Sequence, residues 1–186
     1  IFQPLKNQPN LKKIQLKYHL PQKFILYVGD INWNKNLIAL THTCLNLKIP
    51  LVVIGKKAID NDYDLHHIEN QSLKTFQSLA YKNAPLIITP GFVPTKDLVS
   101  IYNLATIYVH PSIAEGFGLP VLEAFASGCP VITSQTTSLG EIAGQAAKLI
   151  NPLSQNDLSK AISNLYQNQS LRQKYSQLGL KQAQKF

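Results

Sequence analysis

Short runs of β-branched and aromatic residues alternate along the chain with longer segments whose apolar positions recur at helical spacing. The runs at 24–28, 51–54, 86–89, 107–110 and 131–133 are too short for helices and suit a pleated, buried surface, so each is predicted as a strand. Segments 35–47, 73–82, 96–104 and 121–127 are predicted as helices. Such alternation implies an α/β fold, a Rossmann-like doubly wound parallel sheet covered by helices. After the last of these strands, Ser154 to Asp157 has the S-x-x-D pattern of a helix start, followed by apolar Leu158, Ile162 and Leu165. A final helix is expected over 170–185, where an even spread of Gln and Lys marks a solvated face. Residues 60–70 are the best candidate for a mobile loop. The expected organisation is a lead-in segment, 1–22, and one domain, 23–186.

Composition narrows this picture. A chain of 186 residues, 45% of them apolar, can bury one substantial core. It contains no methionine, so it is expected to be a processed product or a fragment of something longer. Lys and Arg number 18 against 10 Asp and Glu, a net charge of +8 that favours a partner carrying phosphate or another anion. The lysines are scattered, and no zinc-finger spacing, basic zipper or aromatic RNA-binding signature is present, so nucleic acid is set aside. Cys44 and Cys129 are far apart and form no C-x-x-C pair, which indicates neither a metal site nor a disulfide scaffold. A reduced, cytoplasmic setting is the default. Apolar runs such as 50–55 and 86–88 are much shorter than a membrane span, so any membrane contact would be peripheral, at the inner membrane surface, or carried by another part of the protein.

The candidate chemistry is concentrated in the stretch from Glu115 to Glu123, Glu-Gly-Phe-Gly-Leu-Pro-Val-Leu-Glu. Gly116 and Gly118 permit a tight turn after a strand, and Pro120 suits the first turn of a helix. A helix N-terminus with unpaired N–H groups would then stand at the carboxyl edge of the sheet, where it suits a phosphate. Each carboxylate can accept hydrogen bonds from vicinal hydroxyls, as on a ribose or hexose. Two glutamates eight apart also arise by chance, and ordinary surface residues are the bland alternative.

A second feature spans 27–36, where a strand gives way through Gly29 to a helix with Lys35 near its start. A cation there opposes the helix dipole by roughly 0.3 to 1 kcal/mol, a local violation that a bound anion would reverse. A solvated lysine at a frayed helix end is the alternative. Third, Gly91 and Pro94 shape a turn before a helix start marked by Thr95 and Asp97; it would expose the backbone groups of Val93 to a planar base, and a common βα loop is the alternative.

In combination these segments resemble the C-terminal domain of family 4 retaining glycosyltransferases of the GT-B fold, also called glycosyl transferases group 1. The resemblance rests on the glycine loop around Lys35, Gly-Phe-Val-Pro at 91–94, His-Pro-Ser-Ile-Ala-Glu-Gly-Phe-Gly-Leu-Pro at 110–120 with its E-x7-E pair, Ser-Gly-Cys-Pro-Val-Ile at 127–132 and Thr-Ser-Leu-Gly-Glu-Ile-Ala-Gly at 137–144. It implies that Glu115 contacts the transferred sugar and Glu123 the nucleotide ribose. It also implies that the amides of Phe117, Gly118 and Leu119 hold donor phosphates and sugar, that Lys35 binds the diphosphate, and that the base lies at Val93. The family usually has an arginine after the glycine of the first loop, but here Asp30 follows Gly29. The sole arginine is Arg172, in the last helix, which leaves Lys56 as the residue to supply the charge.

The resemblance further implies a missing N-terminal acceptor domain, a nucleoside-diphosphate sugar as substrate, no cofactor or metal, and hexosyl transfer with retention, mannosyltransferase-like. As the glycosidic bond loosens, Lys35 and the amides after Glu115 would stabilise charge on the leaving diphosphate, while Glu115 orients the sugar. The isolated chain is expected to be inactive. The alternatives are a nucleotide-sugar-binding module without turnover, or another GT-B enzyme such as an epimerase.

Overall fold

The computed structural model of the chain describes residues 1–59, 64, 67 and 70–186. The strands are β1 (Ile25–Val28), β2 (Leu51–Ile54), β3 (Ile87–Gly91), β4 (Ile107–His110), β5 (Val131–Ser134) and β6 (Lys148–Ile150). They form one parallel sheet in the order β3-β2-β1-β4-β5-β6. Parallel neighbours require a crossover, and helices provide it on both faces. Both faces are therefore buried, which is why β2 and β4 read as continuous apolar runs rather than alternating ones.

Successive strand residues supply two separate cores. Ile25, Tyr27, Val53 and Val109 pack with α2 (Leu37–Leu47), α3 (Gln71–Lys82) and α7 (Gln155–Gln167) through Leu40, Phe76 and Ile162. Leu26, Val52, Tyr108 and Val131 pack with α1 (Gln8–Lys17), α4 (Thr95–Leu104), α5 (Leu119–Ala126) and α6 (Thr137–Ala143) through Ile14, Ile101, Phe125 and Leu139. The last helix, α8 (Gln169–Ala183), reaches both, with Leu171 and Tyr175 on one core and Leu178 and Ala183 on the other. Cys44 and Cys129 lie in opposite cores as free thiols, and burial pushes both up, Cys129 to about 12.

Several boundaries differ from the sequence expectation. The edge strand β3 continues through Pro90 to Gly91, which an edge tolerates because a missing N–H there breaks no central ladder. The edge strand β6 was not predicted, being only three residues with a lysine among them. Neither were α1 and α6. In α1, Leu11 and Ile14 are the buried pair, and the helix is tied to α4 by Lys17 Nζ and Tyr18 Oη, which donate to Asp97 at 2.6 and 2.7 Å. Asp97 thus anchors α1 rather than capping its own helix.

The helix expected over 35–47 begins at Leu37: Trp33–Lys35 is a 3-10 turn and Asn36 is left-handed with φ 54°. The helix expected over 121–127 starts two residues earlier, at Leu119. Only half of the S-x-x-D box forms, since Ser154 Oγ accepts from the Asp157 N–H while the Asp157 carboxylate accepts from the Asn151 N–H. Of the segment expected as a mobile loop, 60–70, all but Asp64, His67 and Asn70 lies outside the described residues.

Candidate functional site

Strand order fixes where a site can form. β1 and β4 are neighbours, but β2 lies on the far side of β1 and β5 on the far side of β4, so the loops leaving β1 and β4 diverge to opposite sides. Such a reversal opens a crevice at the carboxyl edge of the sheet. The loop after β1 carries Lys35 and the loop after β4 carries Glu115. Their side chains meet, with Lys35 Nζ 2.6 Å from Glu115 Oε1. The backbones are stitched as well, since the Ile113 N–H donates to the Asn34 carbonyl at 2.7 Å and Asn34 Nδ2 donates to the Ala114 carbonyl at 3.0 Å. The start of α6 holds the other side: Ser138 Oγ donates to the Glu115 carbonyl, and Thr137 Oγ1 accepts from the Glu115 N–H.

Three donors converge on one oxygen of Glu115. Besides Lys35, His110 Nε2 lies 2.7 Å and Ser112 Oγ 2.8 Å from Oε1, whereas Oε2 receives no hydrogen bond from a described residue. Burial of the side chain, 11% exposed, opposes the ionised form. The hydrogen bonds of His110, Lys35 and Ser112 outweigh that penalty and hold the carboxyl down at about 2. Lys35 is therefore no solvated lysine: Glu115 offsets its charge, and its side chain is 18% exposed.

Beyond Glu115 the chain turns into α5. Gly118 has φ +97°, a left-handed turn that favours glycine, and a Cβ there would stand 2.7 Å from Leu139 Cδ2 and push that side chain aside. Gly116 is different, because nothing lies within 4 Å of the position its Cβ would take. The chain bends at Gly116 and Phe117, Gly118 adds the left-handed residue before the helix, and a Cβ on Gly116 would meet only open space. No side chain caps α5, and the N–H groups of Phe117, Gly118 and Leu119 bond to no other described residue.

The remaining candidates are dispersed along the same edge. Glu123, inside α5, accepts from Tyr102 Oη at 3.0 Å; burial raises its carboxyl, and the tyrosine bond only partly counters that. The Val93 side chain packs with Val52, Ile54 and Ile101, while its N–H and carbonyl bond to no described residue. The Gly29 N–H donates to the Ile54 carbonyl, which brings the end of β1 against that of β2, and Asp30 and Lys56 are exposed just beyond those ends. No hydrogen bond or ion pair among the described residues joins Asp30, Lys56, Val93 or Glu123 to the Lys35–Glu115 pair. Arg172 donates to the Leu165 and Tyr166 carbonyls at the end of α7. A cavity of 630 Å³ lined by Lys23, Thr106, Gly128, Arg172 and Ser176 lies at the opposite, amino edge of the strands.

Sequence reasoning gave no role to His110 or Ser112, both of which grip Glu115, nor to Tyr102. The available signal was a histidine closing an apolar strand run just before a proline, at the edge where ligands bind.

Comparison with known proteins decides the family. Residues 8–182 match the model for glycosyl transferases group 1. The chain belongs to this family. As a group 1 glycosyltransferase chain it is 31% identical, over 98% of its length, to O-antigen chain mannosyltransferase B of Escherichia coli, and it spans 46% of that protein. It is similar to the C-terminal domain of the group 1 family protein LpcC from Francisella tularensis, with 26% identity and a TM-score of 0.77 over all of this chain and 95% of that one. The structure of Anabaena Alr3699/HepE in complex with UDP and glucose shares the fold, with a TM-score of 0.79 at 15% identity over 97% of this chain and 48% of that one. The group 1 chain thus has the Rossmann-like α/β architecture of its GT-B structural neighbours and spans about half the length of O-antigen chain mannosyltransferase B and of HepE.

Proposed function

We propose that the crevice between the loops after β1 and β4 binds a nucleoside-diphosphate sugar, and that the chain supplies the donor-binding half of a retaining hexosyltransferase of mannosyltransferase type. The observation that carries this reading is the Lys35–Glu115 pair at the chain reversal, flanked by the amides of 117–119, which bond to no described residue. A diphosphate there accepts from those amides and from the two remaining Lys35 hydrogens, and charge building on the leaving group is met by donors already in place. Glu115 Oε2, to which no described residue donates, accepts from a sugar hydroxyl. Glu123 accepts from the ribose, the base stacks against the Val93 turn, and Asp30 and Lys56 line the diphosphate end beside Gly29. The HepE structure supports the donor class, since its neighbouring fold holds UDP and glucose.

The acceptor is assigned to an N-terminal domain, and the isolated chain to binding without turnover. No described helix is long and apolar enough to cross a membrane; we place the protein in the cytoplasm, with peripheral contact at the inner membrane surface. Calorimetric titration with UDP, GDP and ADP is expected to give at least one binder, whose affinity falls in Glu123→Ala. Silence with all three nucleotides would sink the donor-site assignment, and unchanged affinity in Glu123→Ala would remove that residue from the ribose.

A further inference from the structure

Tyr108, His110 and Glu115 form a buried line that leads from the sheet into the crevice. Tyr108 and His110 are two apart on β4, so their side chains leave the same face of the strand. Tyr108 Oη lies 2.8 Å from His110 Nδ1, and His110 Nε2 lies 2.7 Å from Glu115 Oε1. Tyr108 is fully buried and His110 is 1% exposed. Tyr27 lies nearly parallel to the imidazole at 5.9 Å, which limits rotation of the ring.

The proton positions follow from what each partner can do. A carboxylate only accepts, so His110 Nε2 must carry a hydrogen to bond Glu115. In a neutral imidazole the other nitrogen is then a lone pair in need of a donor. Tyr108 is the described group that faces it. Burial above all, with the nearby carboxyls of Glu123 and Glu115, pushes its phenol well up, so it keeps its proton. Its other acceptor, the Val28 carbonyl, is farther away at 3.3 Å.

We propose that Tyr108 is a positioning residue of the donor site: by donating to His110 Nδ1 it acts with Glu115, at the other ring nitrogen, to fix the imidazole tautomer whose Nε2–H holds Glu115 Oε1, which leaves Oε2 to serve the sugar. Tyr108 itself touches no ligand. The effect on donor binding rests on the function proposed above, whereas the tautomer does not.

The test has two arms. Nitrogen-15 imidazole spectra of the 186-residue chain, with the His110 signals identified by their loss in His110→Gln, are expected to show a protonated Nε2 and an unprotonated Nδ1. In Tyr108→Phe, which keeps the buried ring and the Glu115 carboxylate but removes the donor to Nδ1, the share of that tautomer should fall measurably. A doubly protonated His110, an Nδ1–H tautomer in the native chain, or an unchanged tautomer in Tyr108→Phe overturns the proposal. In the second arm, Tyr108→Phe should weaken a nucleotide sugar about tenfold while free nucleotide changes by less than about twofold, since Glu115 serves the sugar. Equal loss for both ligands would mark general damage and overturn it as well. If the native chain binds neither ligand, the donor-site reading fails, and the imidazole spectra still decide the role of Tyr108.

Discussion

Replacing Glu115 with glutamine tests the charge cluster at the centre of the site. The substitution keeps the shape of the side chain and removes the charge that Lys35 and His110 were drawn to. In the folded chain this carboxyl is held at about 2 against an ordinary 4.5. A displacement of that size corresponds to about 3 kcal/mol of stability at neutral pH, a ceiling because the ion pair remains partly open to water. The group is depressed in the folded state, so its contribution is complete above about pH 4.5 and is lost as pH falls through about 2. Urea unfolding of both proteins, followed by circular dichroism, should therefore show Glu115→Gln less stable by up to about 3 kcal/mol near pH 7 and by roughly half of that or less near pH 3. The same difference at both pH values, or one below about 0.5 kcal/mol near pH 7, would refute the assignment of that stability to the ionised carboxylate.

The two glycines of the loop should separate fold from binding. Gly118→Ala strains a left-handed residue against Leu139 and should cost about 1 to 3 kcal/mol in thermal unfolding, whereas Gly116→Ala, with open space around it, should stay within about 0.5 kcal/mol yet weaken the nucleotide sugar in calorimetry. Glu123 carries a carboxyl raised by burial, so its ionised form costs stability above that raised value, and the cost vanishes as pH falls through 4.5. Glu123→Gln should accordingly raise the midpoint of urea unfolding near neutral pH, show no gain in acid, and weaken the nucleotide. Gly179→Ala would place a Cβ 2.7 Å from Phe125 Cδ1, between α8 and α5, and should cost about 1 to 3 kcal/mol by the same urea assay while nucleotide affinity is retained.

The central strands were legible because burial on both faces leaves an unbroken apolar signature, as at Leu51–Ile54. What escaped was set by tertiary context. The three residues of β6 form a strand because β5 offers them an edge, and the polar α1 is helical because it packs on α4 with Ile14 in their shared core. The start of α2 was misplaced because Asn36 adopts a left-handed conformation that a propensity does not announce. Lys35 and Glu115 were both legible as candidates from their loops. That they touch was not, since this depends on β1 lying beside β4, and no local pattern encodes strand order. His110 and Ser112 were visible as letters of a motif, but their work on a single carboxylate oxygen appears only once the loop is folded back over the strand end.

The stitching of Asn34 to Ile113 and Ala114 makes the crevice an all-or-none object. Its two sides stand some 80 positions apart along the chain and come together only when β1 has paired with β4. Neither loop can assemble half a site on its own, so a partly unfolded chain offers a ligand nothing to hold. Recognition and folding then share one threshold, and any molecule that fits the crevice pulls the whole domain toward the native state, by about 2.7 kcal/mol when present at a hundred times its dissociation constant. A rise in melting temperature on adding a candidate sugar nucleotide would thus read out occupancy of the crevice directly, before acceptor or product is known.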